Sequence, residues 1–183
     1  ETKDFDIADV ANEICEKLIN RHPHIYGDVT VQNEDEVKQN WENIKLKEGK
    51  KSVLEGVPNS LPALVKANRI QEKVAGVGFD WERPEQVFEK LEEELAEFKE
   101  EMHTGNKDSM EAEYGDVLFS MVNYARFLDI NPENALERTN KKFMGRFQYL
   151  EEKAKGLGKS LKEMTLAEME VFWEEAKSAR RGQ

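Results

Sequence analysis

The chain has 183 residues, of which 38% are apolar and 36% charged, and its 38 acidic against 27 basic side chains leave a net charge of −11. That length suits one domain with a real core, or one domain plus an appendage. So negative a surface excludes generic nucleic-acid or anionic-membrane binding, which need a positive field, but not a small anionic substrate, because one metal ion and a few basic residues can reverse the field inside a single pocket.

In chain order the pattern is helical throughout. Ile7, Val10, Ile14 and Leu18 stand at helical spacing and predict a first helix over Ile7 to Arg21, with Asp6 as N-cap and His22-Pro23 as its end. Cys15 sits among Ile14, Leu18 and Ile19, which assigns it to core packing; as the one cysteine it forms no intrachain disulfide, and a reducing, cytoplasmic setting fits. A loop through Gly27 and Asp28 leads to a second helix over about Glu34 to Lys47, carrying Val37, Trp41 and Ile44. The stretch from Gly49 to Asn59 reads as a linker. A third helix opens at Ser60-Leu61-Pro62, with Ser60 as cap, and runs to about Val74. Gly76 and Gly78 break it before the segment Phe79-Asp80-Trp81, whose aromatic residues are assigned to core or interface. A fourth helix runs from Pro84 to about His103 with Val87, Leu91, Leu95, Phe98 and Met102 as its stripe. Gly105-Asn106 make the turn into a fifth, about Asp108 to Leu128. This helix is apolar almost all round, so it is expected to be the buried centre. A sixth covers about Pro132 to Lys155 and a last one about Leu166 to Lys177. Helices joined by short turns predict an all-α antiparallel bundle. No apolar run approaches the ~20 residues of a membrane helix, and no signal peptide is visible.

Two features concern organisation. The chain starts at Glu1 rather than Met, which suggests a piece of something longer. Residues Glu16 to Arg21 also resemble Lys141 to Arg146, offset by 125 positions, as though Ile7–Arg21 closed an earlier repeat. The expected division is therefore 1–28 as a closing helix and join, 29–59 as a helix and linker, and 60–183 as the working helical domain.

The chemistry rests on two pairs of acids. Glu94 and Glu97 are i and i+3 on the fourth helix, along the border of its apolar stripe; Glu113 and Asp116 are i and i+3 on the fifth. Asp116 runs straight into Val117-Leu118-Phe119, where burying an unpaired carboxylate would cost several kcal/mol. The intervening Gly115 costs a helix about 1 kcal/mol relative to Ala, and packing alone explains it only if another helix comes very close. Glu92 to Glu94 alone would be a solvated face, but the 16 positions from Glu97 to Glu113 suit an antiparallel hairpin in which the two pairs face each other. Four converging carboxylates repel unless they share a divalent cation. An all-oxygen set suits Mg²⁺ or Mn²⁺. Di-iron bundles use Glu-x-x-His, and no His stands beside Asp116, which weakens an iron or manganese redox protein as the alternative. Mg²⁺ usually shares its shell with substrate phosphates, which points to a phosphate substrate. The remaining alternative is a non-enzymatic helical dimerisation module with solvated acidic faces.

These residues resemble the MazG family of nucleoside triphosphate pyrophosphohydrolases, whose pattern is E-E-x-x-E, a spacer, then E-x-x-D. Here the pattern is Glu93-Glu94-x-x-Glu97 followed by Glu113-x-x-Asp116, with Leu61-Pro62-Ala63-Leu64 and Val77-Gly78-Phe79-Asp80-Trp81 upstream and Asn140-Lys141-Lys142-Phe143 downstream. The resemblance is close from about Ser60 onward, and Arg21 to Asp28 look like the join between tandem MazG domains. It implies the all-α NTP pyrophosphatase bundle assembled as a homodimer or larger, Mg²⁺-dependent hydrolysis of NTPs to monophosphate and pyrophosphate, and broad base specificity. It implies Glu94, Glu97, Glu113 and Asp116 as metal ligands, and Glu93, with Glu94 and Glu97, in the catalytic set. Arg69 and Lys73 on the third helix match positions that hold the triphosphate; Asn140 and Lys142 match a pair near the nucleotide. Asn123 and Arg126 are read as buried partners in helix–helix hydrogen bonds, with a place in the site as the alternative.

Overall fold

The computed structural model describes residues 5–33, 36–37, 40–41, 44 and 51–179, and no strand occurs among them. They divide into two compact units, one up to Asp129 and one from Ile130.

Helix α1 (Ile7–Arg21) begins where the acid at its start satisfies the first orphan N–H groups: the Asp6 carboxylate accepts from the amides of Ala8 and Asp9 at 2.7 and 3.0 Å, and Asp9 returns the bond to the amide of Asp6 at 2.9 Å. The short α2 (Pro23–Tyr26) replaces the expected loop. No residue of α1 is buried and Cys15 is exposed, so its assignment to core packing is corrected: α1 packs extensively on none of the larger helices described. Of the helix expected over Glu34 to Lys47, residues Glu36, Val37, Asn40, Trp41 and Ile44 are helical; the rest lies outside the described residues.

Helix α3 (Ala63–Ala75) starts at the extended Pro62, with no side chain capping it, so Ser60 is not the cap the sequence suggested. Its lysines hold the preceding segment instead. Lys66 Nζ donates to the carbonyl of Asn59 at 2.7 Å and Lys73 Nζ to that of Val53 at 3.2 Å.

Helices α4 (Pro84–Thr104) and α5 (Lys107–Phe127) form an antiparallel hairpin. Pro84 sits in the first turn of α4, and the Gln86 side chain accepts from the amides of Glu82 and Arg83. Gly105, at φ 74°, adopts the left-handed conformation that ends α4, and the Asn106 side chain caps α5 through the amides of Asp108 and Ser109. Val87 and Leu91 of α4 and Val117 and Val122 of α5 are buried. Helix α3 packs on α5 through Gln71, 3% exposed, whose Nε2 donates to the carbonyl of Phe119 at 2.9 Å.

The expectation that the fifth helix is buried all round is corrected. Val117, Ser120 and Val122 are covered, but Tyr114, Leu118, Met121 and Leu128 stand 38–54% exposed; beside them on α4, Phe88, Leu95 and Met102 stand 38–56% exposed. Both sets recur every three, four or seven residues, so each is a stripe along its helix, and by helix geometry the two lie on the same side of the hairpin. Among the described elements only α4 and α3 pack extensively on α5, which leaves that side open.

In the second unit, α6 (Pro132–Gly156) starts at Asn131, whose side chain accepts from the amide of Asn134. A 3₁₀ turn (Leu161–Glu163) returns the chain into α7 (Leu166–Ala179). Leu150, Ala154, Met164 and Ala176 form its small core, flanked by Phe143 against Trp173 with ring centroids 5.0 Å apart.

Candidate metal centre

Two ring pairs fix the register of the α4–α5 hairpin. Phe88 meets Tyr124 at 5.3 Å near one end and Phe98 meets Tyr114 at 5.5 Å toward the other. Each step along α4 therefore matches a step back along α5, which sets Glu94 level with Leu118 and Glu97 level with Gly115, two residues from Asp116 and Glu113 respectively. By helix geometry the acids emerge on the side of the hairpin opposite the ring pairs.

The carboxylates of Glu94, Glu113 and Asp116 each place an oxygen within 4.8 Å of the others. Glu94 is buried, Glu113 half-buried and Asp116 exposed. The trio thus spans from the hairpin interior to solvent. Partial burial raises the Glu113 carboxyl above its ordinary range, and the charges of Glu97, Asp116, Glu94 and Glu101 push it further the same way. Glu97, the fourth acid of the motif, is exposed and lies outside the close trio, yet its charge is the strongest of those bearing on Glu113.

Lys90 and Glu101 escaped the sequence reading. The Lys90 ammonium lies 3.0 Å from both Glu93 and Glu94, and these bonds raise its pKa. Its spacing of three and four residues from those acids is the signal that could have found it. Glu93 is half in solvent at this bridge.

The residues matched to substrate binding are placed differently. Arg69 is paired with Glu72 at 2.9 Å. Lys73, only 3% exposed, is turned to the carbonyl of Val53. Asn140 and Lys142 are exposed on α6 in the second unit. Arg126 donates to both carboxylate oxygens of Asp80 and, at 2.8 Å, to Asn123 Oδ1. The expected helix–helix bonds are instead bonds within α5 and to the loop ahead of α4. Phe79 on that loop is 79% exposed and Trp81 is exposed too, so neither is core in this chain. Gly115 has no atom within 4 Å of where a Cβ would stand, so close helix approach does not account for it here.

Hard carboxylate oxygens brought this close together can hold a divalent cation. The model of the MazG nucleotide pyrophosphohydrolase domain matches residues 1–26 and 82–150, the second stretch carrying all four acids together with Asn140 and Lys142. The chain is 46% identical over 176 residues to the nucleoside triphosphate pyrophosphohydrolase/pyrophosphatase MazG of Thermotoga maritima, covering 94% of this chain and 66% of that protein. It is 38% identical over 179 residues to the nucleoside triphosphate pyrophosphohydrolase of Escherichia coli K12, covering 94% and 68%. The chain belongs to the MazG family. It spans about two thirds of the length of these two relatives. A further match, 48% identical over 184 residues and covering 97% of this chain and 37% of that protein, is the uncharacterized protein YabN of Bacillus subtilis. Outside both matched stretches lies α3 with Arg69 and Lys73. No helix among the described residues is long and apolar enough to cross a membrane.

Proposed function

We propose that this chain hydrolyses nucleoside triphosphates between the α- and β-phosphates, releasing monophosphate and pyrophosphate, with Mg²⁺ held by Glu94, Glu97, Glu113 and Asp116 and Mn²⁺ as a working substitute. The observation that carries the reading is the meeting of Glu94, Glu113 and Asp116 within 4.8 Å from two helices, in a family whose two quoted relatives are named for this activity.

The donor set fits the ion. Every donor in the trio is a carboxylate oxygen, and the Glu113 carboxyl, raised first by partial burial, is raised further by the charges of the acids around it, a repulsion that a divalent cation relieves. When bound, the ion supplies charge neutralisation to the phosphate oxygens and the leaving pyrophosphate. The side chains do the rest. Glu94, Glu113 and Asp116 form the fixed part of the cradle, and Glu97 joins by a side-chain rotation that its exposure leaves free. Glu93 takes the proton of the attacking water on its carboxylate. Lys90, already between Glu93 and Glu94, places a positive charge beside an otherwise negative site. Arg69 reaches a triphosphate by exchanging Glu72 for phosphate oxygens, and Lys73 by leaving the carbonyl of Val53. Asn140 and Lys142 of α6 are assigned to nucleotide binding in the same reading. Broad base specificity belongs to the same proposal.

The working unit in this reading is a homodimer. Its support is the open apolar side of the α4–α5 hairpin, whose two stripes at helical spacing suit helix-on-helix packing with a second copy. The same surface would also serve a non-enzymatic dimerisation module, so turnover must separate the two. The test is a mixed-NTP assay with Mg²⁺ that measures pyrophosphate and orthophosphate separately. Pyrophosphate from the native chain, lost in Glu113→Gln and Asp116→Asn, is the expected outcome. Orthophosphate with a diphosphate product overturns the reaction, and turnover unchanged in both variants overturns the site.

A further inference from the structure

Glycine is the residue a helix interior least favours apart from proline, so a glycine in the middle of α5 needs a reason. Three ordinary reasons fail for Gly115. It lies well inside Lys107–Phe127, so it is not a helix end. It is not among the positive-φ glycines, so its backbone is open to any residue. Among the described residues nothing lies within 4 Å of the position a Cβ would take, so no described neighbour needs the space. What remains is its location. Asp116, one of the converging acids, is the next residue, and Phe119, whose carbonyl Gln71 of α3 holds at 2.9 Å, is one turn further on. On the helix surface the open patch over Gly115 therefore borders Asp116 on one side and, one turn on, the place where α3 reaches α5.

We propose that Gly115 is a specificity-determining position: its bare backbone leaves room for the sugar and base of the nucleotide, the part of the substrate that extends beyond the phosphates held at the acids. This rests on the reading of the acids as a metal–triphosphate site. The chemistry of the surface fits that part of the ligand. A helical backbone without a side chain offers a flat, uncharged floor, suited to a sugar and a base face and unsuited to holding a triphosphate, and it presents no side-chain group that would select one base over another.

The test compares the native chain with Gly115→Ala and Gly115→Leu. Turnover of ATP with Mg²⁺, affinity for α,β-methylene-ATP, inhibition by inorganic tripolyphosphate, thermal melting and solution mass are measured on each. Since the position is open and helical, both variants should melt at or above the native temperature. Gly115→Leu should raise KM for ATP and weaken α,β-methylene-ATP at least tenfold while kcat stays within about threefold; Gly115→Ala should sit between. Inhibition by tripolyphosphate, which lacks the nucleoside, should be unchanged. An unchanged KM in Gly115→Leu overturns the proposal. So does an equal weakening of tripolyphosphate, which would place the effect on the phosphates, and so does a loss of affinity that accompanies a fall in solution mass, which would assign the space to a second copy. A native chain that turns over no triphosphate removes the parent reading, and this one with it, before any variant is compared.

Discussion

The two helical hairpins of this chain handle carboxylates in opposite ways. In the α6–α7 hairpin each well-placed acid has a partner: Glu168 meets Lys159 at 2.8 Å and accepts from the Thr165 amide, while Glu175 meets Lys153 at 3.1 Å and accepts from the Tyr149 hydroxyl. These bonds lower the Glu168 carboxyl to about 2 and the Glu175 carboxyl below its ordinary range. In the α4–α5 hairpin Lys90 bridges Glu93 and Glu94, but Glu113 faces other acids, and partial burial followed by the charges of Glu97, Asp116, Glu94 and Glu101 moves it up instead. The residue types are the same, so the direction of the shift separates acids that hold a fold together from acids assembled at the fold's expense for something the chain does not itself contain.

The sharpest way to break this contrast is to neutralise the assembled acids. Glu113→Gln and Asp116→Asn should each lower NTP turnover at least about a thousandfold, ~4 kcal/mol of transition-state stabilisation. Without metal both variants should melt at or above the native temperature, because repulsion has been removed. Added Mg²⁺ should raise the native melting temperature and leave theirs unmoved. Variants that melt lower without metal would show that these acids stabilise the fold, and the contrast would fail.

A smaller effect comes from the other side of the comparison. Leu150 is 3% exposed at the centre of the α6–α7 core. Leu150→Ala should cost about 3 kcal/mol in chemical denaturation, while the Mg²⁺-dependent rise in melting temperature survives at temperatures where the protein stays folded. A lost Mg²⁺ response in a folded variant would tie the metal centre to the second hairpin more closely than the acids alone imply.

Much of this was legible in the sequence because the signals were local. Asp6, Pro84, Gly105-Asn106 and Asn131-Pro132 set helix ends that the structure keeps within a residue or two. The acids were legible because i, i+3 spacing and a short turn leave little freedom in a hairpin. Exposure was harder to read. The apolar girth of α5 and the apolar neighbours of Cys15 say that a surface wants covering, and periodicity cannot say whether the cover comes from the same chain. Ser60 has the right chemistry for a cap but lost to Pro62, whose fixed φ sets the helix start without a side-chain bond. The turn of Lys73 toward Val53, and of Arg126 toward Asp80, depends on where loops of the fold return, which residue types alone do not encode.

The smallest effect concerns acid. Glu168 is lowered to about 2 in the folded protein, chiefly by the Lys159 ammonium and then by the Thr165 amide and hydroxyl. A carboxyl held below its unfolded value binds its proton less readily when folded, so its contribution is fully present above the unfolded pKa of about 4.5. It is lost as pH falls from there toward 2. Native stability should therefore decline across that window, and Glu168→Gln should flatten the decline, the difference between the two fading only as pH approaches 2, where the native carboxyl has given up its advantage. The ion pair is solvent-exposed, so salt should blunt the same difference. Equal slopes in native and variant would mean that the pairing around Glu168 leaves folding unaffected, and that the second hairpin rests on Leu150, Ala154 and Ala176 rather than on its matched charges.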